Sequence, residues 1–220
     1  MNFTELKTFR KLIFIGCIFL CLSTLAFFIF RSSYYRQVDV VIDAGHGGDD
    51  YGATYNGRNE KDDNLALALL VAQELDEKGI TYKLTRNSDV FISLEKRCII
   101  ANERNARLFV ALHRNSAENA KGVEIWINSE APEEDKMLAE NIMTALSAEQ
   151  ISLNRGVKTG YAGGSSKNYF VNSHTEMPSC LVELGFITDE TDNGLYDENL
   201  ESYALAIANG IEKSISDIYG

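Results

Sequence analysis

The sequence predicts an α/β domain of three layers, a mainly parallel twisted sheet flanked by helices, preceded by an N-terminal transmembrane helix. Three observations carry this. Along residues 38–220, short apolar runs rich in β-branched residues alternate with stretches at helical spacing, the pattern of strands buried between two layers of helices. No repeat and no low-complexity tract interrupts that alternation. Ahead of it, residues 12–30, LIFIGCIFLCLSTLAFFIF, carry no charge, and about 20 such residues suffice to cross a bilayer core.

The N-terminal run is too long for a typical signal-peptide core, and no A-x-A-like cleavage site follows, the next residues being RSSYYRQ. Lys7, Arg10 and Lys11 precede it and Arg31 and Arg36 follow it, an excess that leaves the amino terminus in the cytoplasm. Tyr34 and Tyr35 suit the headgroup layer. Residues 1–36 therefore read as a cytoplasmic stub, membrane anchor and linker, with a cleaved signal as the lesser reading. Residues 37–220 read as the folded domain of a single-pass cell-membrane protein, on the extracytoplasmic side. The chain has 32 acidic and 21 basic residues, and residues 1–36 hold one acid, Glu5, against five bases, so the domain is more acidic than the chain's net −11. Nucleic acid is excluded as a partner, because phosphate binding needs clustered Lys and Arg.

Val40, Val41 and Ile42 form the first predicted strand, and Gly45, Gly47 and Gly48 break it into a loop. Leu65, Ala68, Leu69, Ala72 and Leu75 recur at helical spacing, with Asp62 and Asp63 in the first turn and Gly79 as the stop. ITYKLTR (80–86) is the second strand and SLEKRCIIANERNA (93–106) a helix capped by Ser93. LFVALH (108–113) and GVEIWIN (122–128) are strands. APEEDKMLAENIMTALSAEQ (131–150) is a helix with Pro132 in its first turn. Residues 154–168 read as loop, YFV (169–171) and CLVELGFI (180–187) as strands closing the sheet, and 197–218 as the last helix. Cys98 and Cys180 sit in apolar surroundings and read as two buried free thiols.

Four residues stand out against these patterns. His46 and His113 each lie where a buried strand ends, the place where open α/β sheets keep their ligands. Glu183 is embedded in PSCLVELGF, a costly position for a carboxylate without a partner. Glu60 stands at the acidic start of the first helix. Two histidines and two carboxylates match the inventory of a catalytic zinc site with one open position. Each also has a plain structural reading: a helix-start acid for Glu60, an outward-facing acid for Glu183, satisfied loop groups for the histidines.

The motifs IDAGHGGDDYGA, NEKDDNLALAL, LTRNSDVFISLEKRCIIAN, FVALHRNSA, GVEIWI and MPSCLVELGFITD, in this order and spacing, resemble the zinc-dependent N-acetylmuramoyl-L-alanine amidases of the amidase type 3 family, over essentially all of residues 38–220. The resemblance implies a zinc amidase catalytic domain with peptidoglycan as substrate. It implies Zn2+ held by His46, Glu60 and His113, with Glu183 as the catalytic carboxylate. The bond cut is then the amide between N-acetylmuramic acid and the L-alanine of the stem peptide, by zinc-activated water. Ala111 and Arg114 depart from the family's usual residues, whereas Asn115 falls within its Asn/Asp choice. Both Arg114 and Asn115 are placed at the substrate, Arg114 either as a partner for stem-peptide carboxylates or, by the plainer reading, as a solvated surface charge. Ser173 and His174 stand where the family often has an arginine, leaving His174 between orienting substrate and a structural role. Only SEAP separates the fourth strand from the next helix, so the long blocking helix of regulated members has no counterpart. No activator protein can be read from the sequence. Two rivals stand beside this reading: a wall-binding module on a decayed amidase fold, and a nucleotide-binding enzyme using GHGG as a phosphate loop. The second lacks both G-x-G-x-x-G and a P-loop ending.

Overall fold

The computed structural model describes residues 14–25, 37–163 and 167–220. Contacts divide the chain into residues 1–36 and residues 37–220. In the first unit, residues 14–25 are helical and exposed. The rest of the 12–30 run expected to span a membrane lies outside the described residues. Among the described residues, no helix is long and apolar enough to cross a membrane.

The second unit is built on β1 (Val40–Ala44), β4 (Tyr82–Leu84), β5 (Leu108–Asn115), β6 (Val123–Ile127), β7 (Asn154–Thr159) and β8 (Ser179–Phe186), with a two-stranded hairpin of β2 (Thr54–Tyr55) and β3 (Arg58–Asn59). Its helices are α1 (Glu60–Glu77), α2 (Leu94–Glu103), α3 (Glu133–Ala148), α4 (Phe170–His174) and α5 (Glu190–Tyr219). The sheet order is β4-β1-β5-β8-β6-β7. All neighbours are parallel except β6 and β8, so the sheet is mainly parallel as expected and mixed at one seam. The cause lies in the β5–β6 connection. Residues 116–122 contain no helix, and a parallel return needs a crossover of a dozen or more residues. Therefore β6 comes back antiparallel, and β8 fills the space between β5 and β6.

Alternation along the strands sorts the core into two faces. Ile42, Val110, Leu112, Ile125 and Val182 face α1, α3 and α5, where Leu67, Leu75, Leu138, Ile142 and Ile207 complete the larger core. Val41, Phe109, Ala111, Trp126 and Leu181 face the smaller layer, with Cys98 and Ala101 of α2 and Val171 of α4. Cys98 and Cys180 are buried and free. Ser93 caps α2 as expected, its hydroxyl accepting from the Lys96 N–H.

Three elements differ from the sequence reading. Residues 154–159 form edge strand β7, which has one neighbour and a half-exposed, largely polar surface, so it carries no apolar run. YFV caps and opens the short helix α4, with Tyr169 at its N-cap, and is not in the sheet. Both sides of β8 are already taken by β5 and β6, and the run packs instead on the smaller core through Val171. The last helix starts at Glu190, capped by the Asp189 carboxylate, and a kink at Asn199 (φ −128°, ψ 22°) separates that first segment from the predicted one.

Candidate metal centre and cleft

The smaller layer leaves the carboxyl ends of β1, β5 and β8 open, and the sequence-predicted residues gather there. His46 follows β1, His113 lies in β5, and Glu183 pairs with His113 in register on β8. Glu60 opens α1 directly after the β2–β3 hairpin, which swings it back over the sheet. His46 Nε2 is 3.2 Å from Glu60 Oε2, and His113 Nδ1 is 2.8 Å from Glu60 Oε1. The two imidazoles stand edge to face with centroids 5.0 Å apart. One ligand atom from each of these three residues lies within 4.8 Å of the others.

Burial alone would raise the Glu60 carboxyl, but hydrogen bonds and charge from His113 and His46 hold it well below the usual carboxylate range. Burial lowers His46, and Glu60 with Asp50 outweigh that and raise it. Ala53 N–H and Arg114 N–H also donate to Glu60, at 2.8 and 3.2 Å. An ionised carboxylate facing two imidazoles is the donor set of a hydrolytic zinc site, and these residues fit that ion.

The glycines around His46 make room for the protein's own atoms, backbone at Gly47 and Gly48 and side chains at Gly45 and Gly52. A β-carbon at Gly45 would run into the His113 ring. One at Gly52, which has φ +65°, would lie 2.6 Å from both Glu60 Oε2 and His46 Cδ2. The loop's amides are spoken for as well. Gly47 N–H donates to Asp50 O and Gly48 N–H to Asp89 Oδ1, at 2.9 and 2.7 Å. A phosphate loop needs those donors free, so the nucleotide reading fails here.

Two buried arginines that the sequence reading did not single out fasten this loop. Arg86 donates to the carbonyls of Ala44, Gly45 and Lys61. Arg97, from α2, donates to Ala44 O and His46 O and pairs with buried Asp43 at 2.6 Å. They hold His46 in a left-handed backbone conformation, φ 59°, that few non-glycine residues adopt. Both stand inside the motif LTRNSDVFISLEKRCIIAN, among charges that look solvated.

Glu183 borders a cleft of 670 Å³ whose walls include Phe91, Ile92 and Leu94 on one segment and Tyr161, Tyr169 and Phe170 on another. Its Oε2 is buried and has no hydrogen-bond partner among the described residues. Burial, and then the charges of Glu60 and Glu124, push this carboxyl well above its ordinary range, against a smaller opposing effect of Arg114. Glu124 sits opposite Glu183 on β6 and is another residue the sequence reading passed over.

The two residues expected at the substrate, Arg114 and Asn115, both border the cleft, and their side chains are engaged by the protein's own groups. The fully buried guanidinium of Arg114 donates to Asp63 Oδ2 at 2.6 Å and Asn193 Oδ1 at 2.8 Å and lies 4.4 Å from the Tyr196 ring centroid. Adjacent strand residues face opposite ways, so the neighbour of His113 must point to the other layer. Asn115 does border the cleft, but its side-chain N–H donates to Glu124 Oε1 at 2.7 Å and its Oδ1 accepts from Ser116 N–H. His174 is exposed on α4, stacked on Phe170 with centroids 3.8 Å apart.

Comparison with known proteins follows the same lines. The sequence profile described as N-acetylmuramoyl-L-alanine amidase matches residues 40–213. The uncharacterized protein YqiI of Bacillus subtilis is 39% identical over 177 residues, covering 79% of this chain and 82% of that protein. N-acetylmuramoyl-L-alanine amidase LytC of the same organism is 36% identical over 156 residues, which is 70% of this chain but only 30% of LytC. Among solved structures, the N-acetylmuramoyl-L-alanine amidase AmiC2 of Nostoc punctiforme superposes with a TM-score of 0.72 at 35% identity, over 80% of this chain and 96% of that one.

Proposed function

The chain belongs to the N-acetylmuramoyl-L-alanine amidase family, and we propose that it hydrolyses peptidoglycan between N-acetylmuramic acid and L-alanine with a zinc ion held by His46, Glu60 and His113. One observation carries the reading. Three ligand atoms converge at the carboxyl ends of the central strands, and beside them a buried carboxyl keeps one oxygen without a partner among the described residues. The ion, when bound, supplies a Lewis acid that makes water nucleophilic near neutral pH and polarises the carbonyl.

Glu183 Oε2 is the proton carrier. It accepts a proton from the attacking water as oxygen adds to the lactyl carbonyl carbon. It returns that proton to the L-alanine nitrogen as the C–N bond breaks. Its neighbours suit the task. The charges of Glu60 and Glu124 make its carboxylate more basic, while the positive field of the ion works the other way. Between them, the group can take a proton and give it back. The apolar and aromatic walls of the cleft shield this exchange from bulk water and offer surface to a glycopeptide.

The test is digestion of purified peptidoglycan by the zinc-loaded chain, with mass analysis of the released ends. New L-alanine amino termini and intact lactyl carboxylates on the glycan are expected, and a chelator abolishes their release. Cleavage within the glycan, or none by folded zinc-loaded protein, overturns the reading. The uncharged run at 12–30 and its basic flanks support a tether holding residues 37–220 outside the cell membrane. Membrane fractionation with protease protection tests this, and recovery of the chain in the soluble cytoplasmic fraction overturns it.

A further inference from the structure

His46 is engaged at both ring nitrogens. Nε2 faces Glu60 Oε2 at 3.2 Å, and Nδ1 lies 2.9 Å from Asp50 Oδ2. His113 is arranged differently: it turns Nδ1 towards Glu60, and its ring is backed by Gly45. Asp50 is itself fixed. Its N–H donates to Gly47 O at 3.1 Å and its carbonyl accepts from Gly47 N–H at 2.9 Å, closing a tight turn around the loop tip. Its second carboxylate oxygen accepts from Gly52 N–H at 3.1 Å. Gly52 in turn abuts Glu60 Oε2 and the His46 ring.

We propose that Asp50 is a positioning residue for the metal: its carboxylate accepts a hydrogen bond from His46 Nδ1–H, which leaves the Nε2 lone pair free and aimed at the side where Glu60 and His113 meet. The inference rests on the zinc reading of the site. A neutral imidazole carries one N–H, and whichever nitrogen holds it cannot ligate. An acceptor behind Nδ1 therefore selects the ligating tautomer and orients the ring. The need is sharp at His46, because its left-handed backbone is an unfavourable setting for a ligand left to find its own rotamer. Through Gly52 N–H, the same carboxylate also ties the turn to the wall that Glu60 leans on.

Asp50→Ala and Asp50→Asn in the full-length chain test this by competition for zinc against a calibrated chelating indicator. Alanine removes the acceptor, and zinc affinity is expected to fall about 10–100-fold, the usual effect of losing such a partner. Asparagine keeps one acceptor oxygen and should fall between alanine and the parent. Thermal midpoints of the metal-free proteins should agree, and at saturating zinc the alanine variant should recover most of its amidase rate. Unchanged zinc affinity in Asp50→Ala, or a loss matched by unfolding of the metal-free protein, overturns the role of Asp50. A parent chain that binds no zinc overturns the metal centre itself, a separate result read from the same titration.

Discussion

Glu124 and Glu183 face each other across the one antiparallel seam of the sheet, where β6 runs against β8. They are the same residue type, point to the same layer and are buried to nearly the same extent, at 3% and 6% exposure. Glu124 is surrounded by donors: Asn115 and the Trp126 indole reach Oε1 at 2.7 and 3.1 Å, and Arg155 and Lys158 reach Oε2 at 2.8 Å each. Burial would raise it, but Arg155, Lys158 and Trp126 outweigh that and lower it. Glu183 has an oxygen with no donor among the described residues and is pushed the other way. Like charges directly opposite on neighbouring strands repel, so in the metal-free protein the pair favours ionisation of Glu124 over Glu183. A saturated carboxylate holds the sheet together. An unsaturated one is left available for chemistry.

The sharpest way to break this contrast is Glu183→Gln. Amidase turnover should fall about 10²–10⁴-fold with zinc retained, since the amide keeps the shape but cannot carry a proton. Unchanged turnover in a zinc-loaded variant would end the distinction between the two acids. Stability should move in the opposite sense. A carboxyl whose folded-state pKa is raised favours the fold below its ordinary range near 4.5 and loses that contribution as pH rises through the folded-state value. The metal-free glutamine variant should therefore melt higher than the parent at pH 7.5, and the gap should close in acid.

Glu124→Ala probes the structural member. It strands the Trp126 and Asn115 donors and leaves Arg155 and Lys158 without their anion. Both cations are about one-third exposed (31% and 33%), so screening reduces the cost to about 2 kcal/mol. Urea denaturation measures that loss, while activity per folded molecule should fall far less than in Glu183→Gln. The reverse ranking would exchange the two roles.

Asp135 is an intermediate case. It is 5% exposed, accepts from Ser179 N–H at 3.1 Å, and is pushed up to about 6, first by burial, with backbone bonds from Ser179 and Asn128 only partly opposing. Its contribution to folding is present below the ordinary aspartate value and is lost as pH climbs through about 6. Asp135→Asn should therefore gain on the order of 1 kcal/mol at pH 7.5 and nothing at pH 3.5. Melting curves at the two pH values check this, and a gain independent of pH would remove ionisation as its cause.

What the sequence disclosed follows from how each residue contrasts with its neighbours. His46, His113 and Glu183 interrupt apolar strands or end them, so their placement was legible before any coordinates. Glu124 carries the same signal as Glu183, an acid between Val123 and Ile125, and was passed over because its partners Arg155 and Lys158 lie on an edge strand that reads as loop. Arg86 and Arg97 look like solvated charges, and only the folded backbone shows which carbonyls they reach. The direction in which Arg114 points could be read more simply. Strand parity already puts it opposite His113.

The loop held by Arg86 and Arg97 also bears on how the molecule comes together. Glu60 and His113 are 53 positions apart and meet only when β1 has paired with β5, and the position of Glu183 exists only after β8 has docked beside them. Parallel pairings of this kind close long loops and form slowly. The two arginines reinforce that order, because their carbonyl acceptors lie at the end of a strand that must already be in place. A zinc ion bound at this site would therefore meet ligands that the paired strands have already brought together. It would stabilise the fold by mass action, about 2.7 kcal/mol at a hundredfold excess over its dissociation constant. Scarcity of the ion would lower the stability of the native state by the same amount.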